Sequence, residues 1–560
     1  MRTIFYNRFQ FFSYFFFSCY VIIIFRLFSL AFSSQLTKSI SQPSGLPKQA
    51  FSRRIICDTY QIPLAFDQPT YDIYVYPIAA QGHFLEISRK LAPVLECEAL
   101  ALYDFLSCQA NYTPIIFNLH PNKAQRIKAY NLPGIDILVK SSRLYPYKEL
   151  ISGCIGYVNS INQGLSGIEQ SCNFVLQNTN SMTHSSTISN LVWLQTSLDI
   201  RLQRQFSSIL KEGLEFVSAK RGLGVVLDCY SGAIKALSIF PQFDPYKSAE
   251  TSMAILNPWP VLELYEPGST FKPINLGIAL ESNIINAKTL LVDEGCIKMK
   301  NSYFFNATSS QEQFIRSQPN ILTLETLLAR SSNIGLIHLM SRLSPLVYYK
   351  WLKYLNLSPV NSFSMNLPYE NYVNLPFKKE LRNTPEMAVF FALGHGFSLT
   401  PFHLLHIYTS LFNQGRLVQP FLIDKFVLAP TVFKPTYPNS DRQTLTEQTQ
   451  LFSLRTCGFI LRLLEEVIQY GTAQQGAFLN YRFAGKTGTS VYTLATNENA
   501  RRLTSFVVAY PSPSPQYVCF LLLDLDPQSS QQSSSTAVPL LKALLDVLVQ
   551  ISRFSPSILS

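Results

Sequence analysis

The chain has 560 residues, 47% of them hydrophobic and only 14% charged, which predicts two to four domains with sizeable cores and excludes disorder throughout. Its formal net charge of +11 would suit nucleic acid, an acidic membrane surface or an anionic polymer. Because no run of five or more basic residues and no nucleic-acid motif occurs, we predict no nucleic-acid partner and a diffuse attraction to an anionic cell surface.

An apolar segment lies near the N-terminus. Residues 9–25 (FQFFSYFFFSCYVIIIF) are uncharged, and the apolar run continues beyond Arg26. Since an arginine near a helix end can snorkel, residues 9–32 are predicted to form a transmembrane anchor behind a cytoplasmic tail, residues 1–8. A cleaved signal peptide is the competing interpretation. No A-x-A-like site follows, which favours an uncleaved anchor with the rest of the chain outside the cytoplasm.

A mixed module follows the anchor. Residues 33–52 are polar, contain Pro and Gly, and predict a linker. Between residues 53 and 190, short apolar stretches alternate with turns: YDIYVYP predicts a strand and ISRKLAPVLECEALALYDFL a helix. The sequence therefore predicts an α+β module over 53–190, which ends in a stretch poor in large apolar residues.

Residues 191–555 are predicted to form the second module. It begins with a strand-like start and an amphipathic helix in LVWLQTSLDIRLQRQFSSILKEG. GLGVVLDCYSGAIKALSI and SFVVAYPSPSPQYVCFLLLDL predict hairpins, and AVPLLKALLDVLVQISRF predicts a closing helix. This order favours a central antiparallel sheet flanked by helices. The low-complexity segment 526–536 is predicted to be a mobile surface loop.

Two Ser-x-x-Lys motifs are candidate nucleophile sites. Ser269 follows Glu-Pro-Gly and opens the apolar segment PINLGIALES, which places it in the first turn of a helix, where backbone N–H groups stabilise developing negative charge. Lys272 lies at i+3 on the same face and can accept the serine proton if burial or a second cation lowers its pKa. Ser208 and Lys211 lie in a polar amphipathic helix, and a solvated helix face is the better interpretation there.

The single Lys-Thr-Gly motif is the second candidate. A strand with Lys486, Thr487, Gly488 and Thr489 at a cleft edge offers a cation and hydroxyls to a substrate carboxylate, and its glycine lets a substrate backbone approach closely. On its own, the motif is equally compatible with a Gly-rich strand end.

Together with Ser-x-Asn, these motifs resemble the shared signature of penicillin-binding proteins and serine β-lactamases. The strings EPGSTFKP, SSNIG and GKTGTS are similar to class B penicillin-binding proteins. RRIICDTYQIPLA, RLYP and GLSGIE resemble the N-terminal module of that family, most closely its septal members. The resemblance implies a multidomain α/β (α+β) protein: an anchor, an α+β pedestal of the dimerisation type, and a transpeptidase domain with a helical subdomain.

The resemblance also implies residue roles. Ser269 would form the acyl-enzyme with Lys272 as its base, Ser331 would relay a proton to the leaving group, and Asn333 would hydrogen-bond the donor peptide. Ser331 is chosen by its order and by its apolar helical context. The other Ser-x-Asn matches begin at Ser160, Ser171 and Ser364.

The Lys-Thr-Gly strand has implied roles as well. Lys486 would supply positive potential, while Thr487 and Thr489, on either side of Gly488, would engage the terminal carboxylate. Backbone N–H groups of Ser269 and Thr489 would form the oxyanion hole. No metal and no cofactor is predicted, because the cysteines and histidines show no metal-ligand spacing.

The implied function is a peptidoglycan D,D-transpeptidase acting on stem peptides that end in D-Ala-D-Ala, with β-lactams as covalent inhibitors. The implied partners are a membrane glycosyltransferase and division-machinery proteins. The implied location is a single pass in the cell (inner) membrane with the catalytic domain outside the cytoplasm, or the envelope membrane of a peptidoglycan-bearing plastid.

Two other functions stay open. A β-lactamase or β-lactam sensor shares the motifs, and Glu370 lies in a near match to the E-x-x-L-N string of class A enzymes; the anchor and the long N-terminal module fit a wall synthase better. A catalytically silent division scaffold is the third interpretation, and the three intact motifs argue against it.

Overall fold

A computed structural model describes residues 53–177, 191–299, 302–306, 319–355, 386–428, 432–433, 450–477, 481–493 and 500–552. The predicted tail, anchor and linker (residues 1–8, 9–32 and 33–52) lie outside these ranges, as does Glu370. None of the helices in the described ranges has the length and apolar character needed to cross a membrane.

The strands, numbered in chain order, are β1 (Ile55–Cys57), β2 (Pro63–Val75), β3 (Thr113–Leu119), β4 (Ile135–Leu144), β5 (Leu191–Thr196), β6 (Arg221–Asp228), β7 (Ile234–Phe240), β8 (Leu291–Asp293), β9 (Cys296–Met299), β10 (Ser302–Phe305), β11 (Asn320–Leu322), β12 (Ile423–Leu428), β13 (Val432–Phe433), β14 (Ala484–Thr493), β15 (Ala500–Tyr510) and β16 (Tyr517–Leu525).

The α-helices are α1 (Pro77–Ala80), α2 (Phe84–Leu95), α3 (Ala99–Ser107), α4 (Pro121–Ala129), α5 (Glu149–Ile155), α6 (Gly167–Ser171), α7 (Asn173–Leu176), α8 (Ile200–Phe216), α9 (Met253–Leu256), α10 (Trp259–Leu262), α11 (Lys272–Glu281), α12 (Leu324–Ala329), α13 (Asn333–Met340), α14 (Pro345–Tyr354), α15 (Glu386–Ala392), α16 (Pro401–Phe412), α17 (Leu454–Gln469) and α18 (Ala537–Ser552). Short 3₁₀ turns span Pro245–Glu250, Gly268–Phe271 and Gln474–Gly476.

The N-terminal module is built around the long strand β2. It pairs antiparallel with β3 and β4, and the helices α2, α3 and α4 complete a small apolar core with these strands. The single helix predicted for ISRKLAPVLECEALALYDFL is wrong, because the structure has two helices, α2 and α3. Glu96 adopts a left-handed backbone (φ 59°) and the N–H of Cys97 returns to Ala92 O, which ends α2.

A buried ion-pair network joins the three N-terminal strings that resemble the family. Arg53 and Arg143 both contact Glu169 at 2.7 Å, and Arg143 also contacts Asp67 at 3.0 Å. All four side chains are almost fully buried, so each charge is compensated inside the module. Removing one partner would leave an unpaired buried charge.

The two modules share a sheet. β5, which the sequence assigns to the second module, pairs in parallel with β1 of the first, and β12 pairs antiparallel with β5. The sheet order is β13-β12-β5-β1-β2-β3, with β4 also on β2. Backbone hydrogen bonds therefore run across the predicted boundary at residue 190.

The second module contains an antiparallel five-stranded sheet in the order β14-β15-β16-β6-β7. Both predicted hairpins, β6–β7 and β15–β16, are present. The first and last helices of the module, α8 and α18, pack on each other and on this sheet. Close packing requires glycine at Gly224, where a Cβ would lie 2.5 Å from Phe206. A helical subdomain that includes α11, α12, α13, α16 and α17 contacts the sheet at β14 and β16.

The prediction for segment 526–536 is wrong in part, because its C-terminal half is packed. Ser533 and Thr536 are buried, the Ser533 hydroxyl donates to Gly488 O, and the Thr536 hydroxyl donates to Thr504 Oγ1 at 3.0 Å. Small hydroxyl side chains tolerate burial when they bond in this way, which low-complexity composition does not reveal.

Candidate active site

The candidate nucleophile lies on a tight turn. Ser269 belongs to the 3₁₀ turn Gly268–Phe271, which leads directly into α11, so the α-helix begins at Lys272, three residues later than predicted. Gly268 has a φ of +56°, and its N–H donates to Gly394 O at 3.0 Å. Ser269 is partly exposed, and its hydroxyl makes no hydrogen bond within the described part of the chain.

The Gly-His-Gly loop, residues 394–396, packs against this turn. A Cβ on Gly394 would lie 2.1 Å from Gly268 O, so only glycine fits there. Glu266 accepts from the Gly396 N–H at 2.9 Å and lies 2.7 Å from His395 Nδ1. Burial alone would raise the pKa of Glu266, but the bonds from His395 and Gly396 lower it below its ordinary value.

Lys272 is fully buried and points at the Ser-x-Asn motif. Its Nζ donates to Ser331 O at 2.7 Å, to Ser331 Oγ at 3.2 Å and to Asn333 Oδ1 at 2.7 Å. Burial and the nearby charge of Lys486 lower the pKa of Lys272 well below its ordinary value, and Asp293 opposes this shift. A lowered pKa favours the neutral amine, which is the form that a general base requires.

Ser331 lies between two lysines. Its Oγ accepts from Lys272 Nζ at 3.2 Å and from Lys486 Nζ at 3.0 Å. The backbone of Ser331 has a φ of +54°, a left-handed conformation that is unfavourable for a residue other than glycine. The next residue, Ser332, begins α13 as its N-cap, with Oγ accepting from the Gly335 N–H at 3.0 Å.

The Asn333 side chain has protein partners at both ends of its amide. Oδ1 accepts from Lys272 Nζ, and Nδ2 donates to Phe305 O at 2.7 Å. Asn333 therefore has a role inside the protein besides the peptide-binding role that the resemblance implies. In this structure, Asn333 orients the Lys272 amine.

The Lys-Thr-Gly motif lies on β14, which pairs only with β15 among the described strands. Lys486 is fully buried, and this burial lowers its pKa to about 7. A Cβ on Gly488 would lie 2.7 Å from both Ser505 Oγ and Thr270 Cγ2. Glycine is thus required for β14 to pack against the turn that carries Ser269.

The two threonines of β14 are held by hydroxyl contacts. Thr487 Oγ1 lies 2.9 Å from Thr472 Oγ1, and Thr489 Oγ1 lies 3.0 Å from Ser533 Oγ. Thr489 is partly exposed and Thr487 is buried. The structure therefore brings all eight sequence-predicted site residues to one place: Ser269, Lys272, Ser331, Asn333, Lys486, Thr487, Gly488 and Thr489.

Sequence reasoning missed four supporting residues, namely Asp293, Asn306, Thr472 and Ser533. None belongs to a motif, and each is far in sequence from the group that it contacts. Only their placement in the fold identifies them.

The rejected motif copies lie elsewhere. Ser208 is exposed on α8 and bonds Glu212 at 3.1 Å. Ser160 and Ser171 are exposed on the N-terminal module, and Ser364 lies outside the described residues.

The chain matches two family models. The penicillin binding protein transpeptidase domain covers residues 222–546, and the penicillin-binding protein dimerisation domain covers residues 49–190. A peptidoglycan D,D-transpeptidase FtsI homolog from Mesostigma viride is 31% identical, with 97% of this chain and 95% of that protein covered. The peptidoglycan D,D-transpeptidase FtsI of Escherichia coli K12 is 22% identical, with 91% and 85% covered.

Solved structures share the fold. Penicillin binding protein 3 from Mycobacterium tuberculosis, in complex with aztreonam, superposes with a TM-score of 0.68 at 19% identity, covering 91% of this chain and 98% of that one. Penicillin binding protein 2X from Streptococcus thermophilus gives a TM-score of 0.71 at 18% identity, with coverages of 89% and 80%. With its dimerisation and transpeptidase domains in that order, the chain belongs to the class B penicillin-binding proteins and is most like their septal, cell-division type.

Proposed function

We propose that this chain is a peptidoglycan D,D-transpeptidase that cross-links stem peptides through an ester on Ser269, in septal wall synthesis. The observation that carries the proposal is the position of Ser331 Oγ between the buried amines of Lys272 and Lys486. In the part of the chain that the structure describes, neither lysine forms an ion pair, and burying two such amines together opposes stability. Such groups with strongly shifted pKa values are typical of a site that moves protons.

Acylation begins with the neutral Lys272 amine. Ser269 Oγ attacks the carbonyl carbon of the penultimate D-Ala, and its proton passes to Lys272 Nζ. Lys272 Nζ bonds Ser331 and Asn333 in the structure, so this mechanism requires Nζ to reach Ser269 Oγ when substrate is bound; catalytic hydrogen bonds often tighten only then. Backbone N–H groups of Ser269 and Thr489 stabilise the oxyanion.

Departure of the terminal D-Ala requires a proton on its amine. Ser331 gives its hydroxyl proton to the leaving nitrogen and regains one from Lys272 Nζ, at 3.2 Å. The Lys486 amine, 3.0 Å from Ser331 Oγ, stabilises negative charge on this oxygen during the transfer. Thr487 and Thr489 hold the carboxylate of the departing residue.

The second half reaction is aminolysis. An acceptor amine attacks the ester carbonyl and loses a proton to Lys272, and Ser269 Oγ leaves with a proton returned. With a β-lactam, the cleaved amide nitrogen remains tethered to the acyl group. The leaving group therefore stays in the site and the enzyme is trapped as a penicilloyl ester.

Penicillin labelling tests the proposal. The full-length protein in detergent is incubated with fluorescent penicillin, digested, and the modified peptide is identified by mass spectrometry. We expect the label on Ser269, loss of labelling in Ser269→Ala, and normal labelling in the matched control Ser208→Ala. Labelling that survives Ser269→Ala would refute the assignment. Rapid multiple turnover of penicillin that depends on Glu370 would instead favour the β-lactamase interpretation.

The membrane arrangement is also proposed. Residues 9–32 anchor the chain, the pedestal is residues 53–190 and the catalytic domain is residues 191–555, outside the cytoplasm of a bacterium or within a plastid envelope. A membrane glycosyltransferase supplies the glycan strands, and division proteins recruit the complex. The uncharged apolar sequence of residues 9–25 supports the anchor. Protease accessibility in intact membrane vesicles tests its orientation.

A further inference from the structure

A buried carboxylate outside the three motifs lies behind the Ser-x-Asn segment. Asp293, at the end of β8, is 7% exposed. Its oxygens accept from Ser332 Oγ at 2.6 Å, from the Gly295 N–H at 2.8 Å, and from Asn306 Nδ2 at 2.9 and 3.0 Å. Within the described residues it forms no ion pair, and these hydrogen bonds satisfy its buried oxygens.

These bonds fix the start of α13. The Ser332 hydroxyl donates its proton to Asp293 and accepts from the Gly335 N–H, so its geometry is determined on both sides. Asn306 donates to Asp293 and accepts from the Asn333 N–H at 2.8 Å. The two residues that follow the left-handed Ser331 backbone, Ser332 and Asn333, are thereby tied to one carboxylate, the first directly and the second through Asn306.

The end of β10, next to Asn306, also orients the Asn333 amide. Phe305 O, next to Asn306, accepts from Asn333 Nδ2 at 2.7 Å. The amide must then present Oδ1 to Lys272 Nζ, which donates to it at 2.7 Å. The carbonyl group at the end of β10 therefore determines which atom of the Asn333 amide faces the Lys272 amine.

We propose that Asp293 is a positioning residue of the acylation reaction. Through Ser332 and Asn306 it holds Ser331 Oγ and Asn333 Oδ1 on the Lys272 amine, and its negative charge acts on that amine. The inference rests on the proposed function, because it assigns Asp293 to the step in which Ser269 is acylated.

The charges around Lys272 allow this role to be tested. Burial and Lys486 lower the pKa of Lys272, whereas Asp293 raises it. Two buried tyrosines also lie near the start of α11. Tyr348 donates to Asn275 Oδ1, and Tyr408 donates to Thr270 O in the turn that precedes the helix. Burial raises the pKa of both hydroxyls, so both stay neutral. Glu281 lies at the far end of α11. Among the described residues, Asp293 is thus the carboxylate that acts on the amine.

The measurement is the second-order rate of benzylpenicillin acylation against pH, for the full-length protein in detergent. Asp293→Asn removes the charge and should lower the plateau rate by about 10- to 100-fold. This is the loss typical of metal sites when a residue that hydrogen-bonds a metal ligand is replaced, and Asp293 supports the groups around Lys272 in the same indirect way. Because the pKa of Lys272 then falls, the ascending limb of the profile should move to lower pH. A residue with a purely structural role would leave that limb in place.

Two further variants separate geometry from charge. Ser332→Ala removes the bond from Asp293 to α13 but keeps the charge, so the rate should fall while the limb stays where it is in the wild type. Glu294→Gln is the matched control, because the neighbouring Glu294 pairs instead with His338 at 2.9 Å; both rate and limb should be unchanged.

The outcomes are distinct. Wild-type rate and limb in Asp293→Asn would overturn the inference while leaving the proposed function intact. A wild-type protein that is not acylated at Ser269 would instead refute the proposed function. If circular dichroism shows that Asp293→Asn is unfolded, Ser332→Ala decides: an unchanged plateau rate overturns the positioning role, and a reduced rate with an unmoved limb supports it.

Discussion

Replacing Lys486 should change both the rate of acylation and its dependence on pH. In the structure, Lys486 Nζ donates to Ser331 Oγ at 3.0 Å, and its charge lowers the pKa of Lys272. Lys486→Ala removes both effects. Loss of one preorganised donor at a reacting centre commonly costs about 10²–10³-fold in rate, or about 2.7–4 kcal/mol in the barrier.

The pH profile follows from the two amines. Acylation needs neutral Lys272 and cationic Lys486, which gives an ascending limb from the first and a descending limb from the second, near the Lys486 pKa of about 7. The limbs belong to the coupled pair, because each charge acts on the other. In Lys486→Ala the descending limb should vanish. The ascending limb should move to higher pH, because the pKa of Lys272 rises when the neighbouring cation is lost.

The assay is stopped-flow acylation by benzylpenicillin between pH 5 and 10, with two comparison variants. Lys486→Arg keeps a permanent charge, so it should lose the descending limb and retain more activity than Lys486→Ala, with some loss because the guanidinium has a different shape. Lys272→Ala should lose almost all acylation. A descending limb that persists unchanged in Lys486→Ala would refute the assignment of Lys486, and near wild-type acylation by Lys272→Ala would refute the base.

Three further outcomes are expected. Gly488→Ala should slow acylation and lower the melting temperature, because its Cβ would lie 2.7 Å from Ser505 Oγ and Thr270 Cγ2; unchanged values of both would contradict the packing argument. Lys486→Met removes a lysine whose pKa is about 7 when folded and about 10.4 when unfolded, and the unfolded chain binds more protons between these values. The unfolding free energy of the wild type, relative to Lys486→Met, should therefore rise by about 1.4 kcal/mol per pH unit in that window, and urea titrations at pH 7.5 and 9 that show a fall would refute it. Removing residues 1–33 should give a soluble protein that still binds penicillin, whereas a native N-terminus near Ser34 would indicate a cleaved signal peptide.

Local sequence was sufficient for the elements and for the chemical candidates. The hairpins β6–β7 and β15–β16 and the closing helix α18 follow from periodicity and turn residues, which act over a few positions. The order of the three motifs, together with EPGSTFKP and GKTGTS, indicated the family. Local signals were weaker at α2 and α3, where a left-handed Glu96 divides a continuous helical pattern.

Tertiary structure alone decided how the candidates work together. Lys272, Ser331 and Lys486 come from α11, the start of α13 and β14, and only the packing of β14 on the nucleophile turn places one serine oxygen between two buried amines. The roles of Asp293 and Ser533 depend on hydrogen bonds to residues that are distant in sequence. No periodicity encodes such contacts, because burial and the shift in pKa that follows from it are properties of the assembled environment rather than of the residue.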